Sequence, residues 1–435
     1  MTVAVVCPQV RPSLCASMTA MRILLIGPVP PEFGGRDTGG IATHNSGLAE
    51  HLATRGHEVG VLADSRPFDC EAWPARVGAI CVYGVADFSG ARRSAELRRP
   101  VTWRDVARAR RALGGVGSLR WIAAATAAYR GVVRDFAPDL VHVHALEGRF
   151  AFANAVLRGR TPLVASAHST HYFEFAEPAR RDLHRRLVAR NLAAAREAIF
   201  VSRYLEQRYE TLFPATLEQV NARVIPNPVD TAAFPGIDRA HARQSLGLQA
   251  SERVVAFVGN LIPRKEAGSL VRALAILVRS GTPVTALIVG AGPEEGSLRA
   301  LAASEGVAEQ VRFEGSRLQS ELGRYYAAAD ALVFPSLMES FGLVAVEAML
   351  YGTPVVGTPE VLPEVVPPEC GVYARPGDPE SLARALGEAL DRTWDHGAIR
   401  VHALTFDWRM RVGAFEAAYE EVAAAWRLRR GASSA

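Results

Sequence analysis

Residues 331–351 read Ala331-Leu332-Val333-Phe334-Pro335-Ser336-Leu337-Met338-Glu339-Ser340-Phe341-Gly342-Leu343-Val344-Ala345-Val346-Glu347-Ala348-Met349-Leu350-Tyr351. The apolar run closed by Pro335 predicts a short buried strand over Ala331–Pro335, and the segment Gly342–Tyr351 predicts a helix. A strand that passes through a loop into a helix is the building unit of a parallel sheet. Ligands of such sheets gather beyond the carboxyl ends of the strands. Glu339 lies in that loop and Glu347 inside the helix. An ionised carboxylate only accepts hydrogen bonds, so a glutamate here suits sugar hydroxyls better than a phosphate. The N–H groups of Phe341, Gly342 and Leu343 sit where a helix start attracts an anion, and glycine at 342 permits close approach. The structural alternative is a helix-capping glutamate followed by a surface one, and spacing alone leaves the two readings balanced.

The same alternation runs outward in both directions. On the C-terminal side, strands are expected at Val254–Gly259, Thr285–Gly290, Val311–Glu314 and Pro354–Gly357. Helices near Ala267–Ser280, Glu295–Glu305, Ser320–Ala328 and Pro379–Arg392 separate them. On the N-terminal side, strands are expected at Arg22–Gly27, Glu58–Ala63, Leu140–His144, Pro162–Ala167, Ala198–Ser202 and Arg223–Ile225. Helices at Ala42–Arg55, Ile122–Phe136 and Arg180–Ala195 accompany them. Strands alternating with helices argue for α/β architecture with parallel sheets covered on both faces. Between the two series stands Pro226-Asn227-Pro228-Val229-Asp230, which cannot continue a helix and favours an extended linker. The boundary is therefore placed near residue 230, giving an N-terminal domain over 21–230 and a C-terminal domain over 231–405. A helical segment over 406–435 is expected to pack back on the first domain. Residues 1–20 are read as a disordered tail or a start-site artefact, because a clean buried strand opens directly after Met21.

Composition excludes several classes. With 49% hydrophobic and 22% charged residues the chain is an ordinary globular one, long enough to bury a large core without disulfides or metals. The net charge of +4 is too small for a general nucleic-acid binder. No apolar run reaches the ~18 residues that span a bilayer, and the first twenty residues make a poor signal peptide. Cys7, Cys15, Cys70, Cys81 and Cys370 show no metal or disulfide spacing and read as reduced thiols of a cytoplasmic protein. One count is unusual. Of the 49 lysines and arginines only Lys265 is a lysine. A compact, rotatable ammonium in an otherwise all-arginine chain marks a candidate site that needs such a cation, against the alternative of accident, and its location must decide.

Taken with their neighbours, these segments resemble the retaining GT-B glycosyltransferases of family 4, the glycosyl transferases group 1. Glu339 and Glu347 match that family's paired-glutamate signature. Val258-Gly259-Asn260-Leu261-Ile262-Pro263-Arg264-Lys265 resembles its diphosphate loop, and Val289-Gly290-Ala291-Gly292-Pro293 the following strand and loop. Phe313-Glu314-Gly315 and Tyr325–Asp330 resemble the base-binding region, and Gly39-Gly40 and Arg55–Val59 the N-terminal marks. The resemblance covers nearly all of residues 21–425. It implies two Rossmann-like domains facing a cleft and transfer of a sugar from a nucleotide-diphosphate sugar to an acceptor hydroxyl or amine, with retention of configuration. It implies no cofactor or metal, the nucleotide sugar being a co-substrate, and a sugar, lipid-linked or small-molecule acceptor. Donor contacts fall on Gly39, Gly40, Gly259, Asn260, Arg264, Lys265, Gly292, Arg317, Glu339, Ser340, Phe341, Gly342, Leu343 and Glu347. The catalytic candidates are His168, Lys265 and Glu339, and the acceptor candidates His44 and His168. The chain departs from the family pattern at Asn260, where an arginine is usual, at Glu266, where a glycine is usual, and at Glu360-Val361, where two glycines are usual.

His168 follows the expected strand Pro162–Ala167, which places it at a strand end facing the cleft. The alternative is a satisfied structural histidine. His142 and His144 alternate along one strand. Without cysteines or carboxylates beside them they read as structural rather than as a metal site. Arg180, Arg181, Arg185, Arg186 and Arg190 line one helix, read first as a solvated face and second as contact with an anionic acceptor or the inner face of a membrane. A nicotinamide oxidoreductase is disfavoured because Gly290-Ala291-Gly292 is a lone GxG followed by proline. A pyridoxal-phosphate enzyme is disfavoured because the single lysine is already in the phosphate loop. The remaining alternative is a non-catalytic nucleotide-sugar- or carbohydrate-binding paralogue.

Overall fold

The computed structural model describes residues 19–35, 40–63, 75–84, 102–113, 119–146, 148–170, 178–359 and 362–432. Residues 1–18, Gly39, Cys7, Cys15, Cys70, Glu360 and Val361 lie outside the described residues.

Two sheets organise the chain. The first contains β1 (Arg22–Gly27), β2 (Glu58–Ala63), β3 (Ala75–Val77), β4 (Ile80–Gly84), β5 (Leu140–Val143), β6 (Leu163–Ala167), β7 (Glu197–Phe200) and β8 (Asn221–Val224). Its order is β3-β4-β2-β1-β5-β6-β7-β8, and every pairing is parallel except β3 with β4. The second contains β9 (Val254–Val258), β10 (Thr285–Val289), β11 (Val311–Gly315), β12 (Ala331–Phe334), β13 (Val355–Gly357) and β14 (Gly371–Tyr373), in the order β11-β10-β9-β12-β13-β14. That order is the doubly wound one, with its switch point between β9 and β12; the first sheet has its own between β1 and β5. Central strands are dry on both faces. Ile23, Leu24, Leu25 and Ile26 are all fully buried, the condition under which a continuous apolar run forms a parallel strand.

The differences from the sequence reading have physical reasons. β3, β4 and β14 carried no signal: β3 is a three-residue edge strand with an exposed Arg76, and β14 is three residues opening on glycine. The expected strand Ala198–Ser202 begins instead at Glu197. This charged residue is fully buried and accepts hydrogen bonds from Arg223 Nε at 2.6 Å and Asn221 Nδ2 at 2.9 Å. Ser202 belongs to the next element, capping the helix Arg203–Leu212 by accepting from Leu205 N.

The helix Trp408–Ala432 runs against the helix Gly40–Thr54 of the first half. Its buried Glu416 takes Arg55 Nε at 2.6 Å and His57 Nε2 at 3.2 Å, and its Tyr419 hydroxyl meets His142 Nδ1 at 2.7 Å. Of the arginine-lined helix, which spans Pro178–Ala194, Arg186 and Arg190 are exposed while Arg181 and Arg185 are half-buried. Arg190 donates to Arg111 O at 2.6 Å. No described helix is long and apolar enough to cross a membrane. Among the described cysteines, Cys81 and Cys370 are free.

Candidate active site

The candidate residues of the second half flank its switch point. Lys265 ends a short turn, Pro263–Lys265, that follows β9; Glu339 lies in the loop after β12. Because β9 and β12 pair, the two loops emerge side by side, and Leu337 N closes them by donating to Arg264 O at 3.0 Å. Lys265 Nζ donates to Glu339 Oε2 in a direct ion pair and lies 5.1 Å from the centre of the Phe334 ring. The two side chains are only 15% and 21% exposed, so the pair is partly desolvated and each charge depends on the other.

The loops approach this closely because of glycine. A Cβ on Gly290 would lie 1.9 Å from Gly259 O, which only a glycine can avoid, and one on Gly292 would lie 2.3 Å from Leu261 O. Where family members carry glycine after the lysine, Glu266 adopts the left-handed conformation that glycine favours, with φ of 52°. Its carboxylate accepts from Ser269 Oγ at 2.5 Å, so the loop keeps its shape at a cost of about 1–2 kcal/mol. Asn260 is exposed at the loop tip, and Arg264 is half-buried beside Lys265.

Glu347 is buried inside the helix Leu343–Met349 and accepts from the Tyr326 hydroxyl at 2.6 Å. Burial pushes the Glu347 carboxyl above its usual range, and the Tyr326 bond pulls it back. Tyr326, within the segment Tyr325–Asp330, holds the second glutamate, a role that nothing in the spacing of that segment marks. Arg317 is bound locally, donating to Tyr325 O–H at 2.9 Å beside Glu314. The helix starts at Leu343 rather than at Gly342, which caps it in the left-handed region with φ of 84°.

The first half meets this site along a seam. A Cβ on Gly40 would touch Leu343 Cδ1 at 3.0 Å. Ser202 Oγ donates to Ser340 O at 2.6 Å, and Thr170 Oγ1 reaches Met338 Sδ at 3.5 Å. Glu364, from the second half, accepts from Arg203 N and Tyr204 N at 2.8 Å each. It thereby satisfies two of the N–H groups that the helix Arg203–Leu212 cannot bond internally.

Behind the seam lie histidines. His168, just beyond β6, is half-buried, and its Nε2 lies 3.1 Å from His144 Nδ1. His44, in the helix Gly40–Thr54, is buried between His144, His168, Trp408 and Phe415, with ring centres 5.1 to 5.7 Å away. It therefore backs His168 rather than facing the cleft. Burial pushes His168 down to about 4, with the charge of Arg149 acting in the same direction, and burial holds His44 and His144 well below the usual histidine range. All of these rings are neutral at neutral pH.

Two doubly wound sheets meeting at a seam, with a lysine–glutamate pair at one switch point and His168 one strand beyond the other, define the GT-B architecture of sugar-nucleotide-dependent transferases. Residues 38–233 match the model of Glycosyltransferase Family 4, and residues 252–392 that of Glycosyl transferases group 1. The chain belongs to glycosyltransferase family 4. It is 33% identical over 303 residues to a D-inositol 3-phosphate glycosyltransferase of Mycolicibacterium gilvum, covering 65% of each chain. It is 32% identical over 323 residues to the enzyme of that name from Mycolicibacterium vanbaalenii, covering 67% of this chain and 68% of the relative. The match thus spans about two thirds of the length of these relatives. Among solved structures, sucrose-phosphate synthase from Thermosynechococcus elongatus superposes with a TM-score of 0.69 at 22% identity, over 93% of this chain and 99% of that one. Anabaena HepE in complex with UDP superposes with a TM-score of 0.66 at 22% identity, over 93% and 100%. These structural likenesses concern the fold.

Proposed function

We propose that this chain transfers a sugar from a nucleoside-diphosphate sugar to an acceptor hydroxyl or amine with retention of anomeric configuration. The observation that carries the reading is the Lys265–Glu339 pair at the β9/β12 switch point. When donor enters, its diphosphate takes Lys265 as counter-ion. Glu339 is then released to accept hydrogen bonds from the sugar hydroxyls, and Glu347 receives the ribose. Lys265 also stabilises the charge that grows on the departing diphosphate. In this reading residues 231–405 hold the donor and residues 21–230 the acceptor. His168 stands nearest the reacting centre, and the buried His44 supports it from behind. The relatives named for D-inositol 3-phosphate make a phosphorylated polyol the first acceptor to try. The arginine-lined helix is read as a solvated face.

A panel of nucleotide sugars screened by thermal shift identifies the donor, because a ligand that binds the folded state raises the midpoint by mass action. With that donor and a polyol-phosphate acceptor, NMR of the product should show the donor's anomeric configuration kept. An inverted product would overturn retention, and binding of the donor without turnover on any acceptor would favour a binding protein.

A further inference from the structure

Four histidines converge at the ends of β5 and β6 and on the helix Gly40–Thr54, and they fall into two groups. His142 is satisfied at both nitrogens, by Tyr419 OH and Ser166 Oγ at 2.7 Å each. His44 is 4% exposed, yet neither of its ring nitrogens has a partner; His144 is 1% exposed, and its Nε2 has none. A neutral imidazole carries one donor and one acceptor, and each polar group left dry costs about 1–3 kcal/mol. Unpartnered nitrogens on two rings of one buried cluster point to a ligand between them, which would take one nitrogen of each ring and leave the second nitrogen of His44 to another partner. One nitrogen each from His44, His144 and His168 lies within 4.8 Å of the others.

We propose that His44, His144 and His168 form a binding site for a divalent transition-metal ion of the zinc class. The donor set decides the class of ion. Three imidazoles suit zinc, cobalt, nickel or copper and disfavour magnesium or calcium, which prefer oxygen. Ligation at about 2.0–2.1 Å in a tetrahedron places the nitrogens about 3.3 Å apart, so the rings need to close by about 1.5 Å at most, within reach of side-chain rotation. The three ligands come from a helix and from the ends of two neighbouring strands, elements that hold their positions. The fourth position opens on the side where His168 is half-buried, toward the cleft, and belongs to a water or an anionic oxygen. With neutral ligands only, an anionic fourth ligand also balances the charge of the ion. Spacing along the chain hides this site because its members are 44, 144 and 168. The inference does not depend on the sugar-transfer reading.

The test uses the full chain with any affinity tag removed, stripped with chelator and titrated with Co2+. One equivalent should bind with the intense visible absorption of four-coordinate cobalt, and Zn2+ should displace it and raise the melting temperature. His168→Ala, at the least buried ligand, should weaken binding by more than the about 10–100-fold typical of losing an outer hydrogen-bond partner of a metal site. X-ray absorption of the zinc-loaded wild type should show three imidazole nitrogens at about 2.0 Å. That measurement stands even if the variant fails to fold. Absence of saturable binding up to about 0.1 mM metal, fewer than three imidazole ligands, or wild-type affinity in a folded His168→Ala would each overturn the proposal.

Discussion

At the scale of single residues, the ion pair between Lys265 and Glu339 gives the donor site a built-in competition. Lys265→Ala should weaken binding of nucleoside diphosphate and nucleotide sugar alike, by about 1.5–3 kcal/mol for a lost charge-assisted contact. Glu339→Ala removes the competing carboxylate. Free nucleoside diphosphate should then bind as well as before or more tightly, while transfer falls. Glu347→Ala should weaken both ligands, because both carry the ribose. Tyr326→Phe removes the bond that lowers the Glu347 carboxyl. The acid limb of nucleoside diphosphate binding should therefore move to higher pH in that variant. Calorimetry on the four variants checks the pattern; a loss of diphosphate affinity in Glu339→Ala with none in Glu347→Ala would reverse the two roles. His168→Ala should lower turnover by about 10²-fold or more with donor affinity little changed, and a folded variant with normal turnover would remove His168 from the reaction.

At the scale of elements, charge placed in strands and turns did the work that apolar patterning could not reveal. Glu197 sits in a buried strand because Arg223 and Asn221 cross to it from β8, a pairing invisible until the strands are neighbours. Asp407 joins the helix His396–Leu404 to the long C-terminal helix, where the chain bridges back to Val229 of the linker. Burial would raise its carboxyl, but bonds from the Arg409 side chain, Thr231 and Arg409 N outweigh that and hold it at about 2. A carboxyl depressed on folding stabilises above its unfolded pKa near 3.8 and loses that stabilisation as pH falls toward 2. Asp407→Asn should accordingly cost about 1–2 kcal/mol at neutral pH, a figure reduced for the exposure of Arg409. The gap from wild type should narrow only below pH ~4. Denaturant midpoints at several pH values decide this, and a gap that is constant down to pH ~2.5 would exclude Asp407 as its source.

At the scale of the molecule, side-chain hydrogen bonds tie the two halves across the seam. Glu364 across two N–H groups of the helix Arg203–Leu212 and Ser202 on Ser340 are its clearest polar ties. Glu364→Ala leaves two helix-start donors unpaired and should destabilise the closed arrangement by about 0.5–2 kcal/mol, comparable to losing a helix cap. Small-angle scattering should then show a larger radius of gyration than wild type without donor, with compactness recovered on adding donor, since chemistry needs both halves of the site. Identical scattering of variant and wild type, with and without donor, would mean that these contacts do not govern closure.

The sequence by itself determined the elements that are long, apolar and regularly punctuated. Central strands such as Arg22–Gly27 and Glu58–Ala63 were legible residue by residue, because strands dry on both faces leave no polar position in the run after the opening Arg22 and Glu58. It also placed Lys265 and Glu339 in loops that follow strands and Glu347 inside the next helix, so the three stood out as candidates. Short edge strands did not, since β3 and β14 bury too little to impose a pattern. Only the tertiary structure decided who touches whom. The lysine pairs with the first glutamate 74 residues away, the second glutamate leans on Tyr326, and three histidines from three elements face one another. The reason is that a doubly wound sheet places strands side by side in an order different from that of the chain, so residues distant in sequence meet at the switch points.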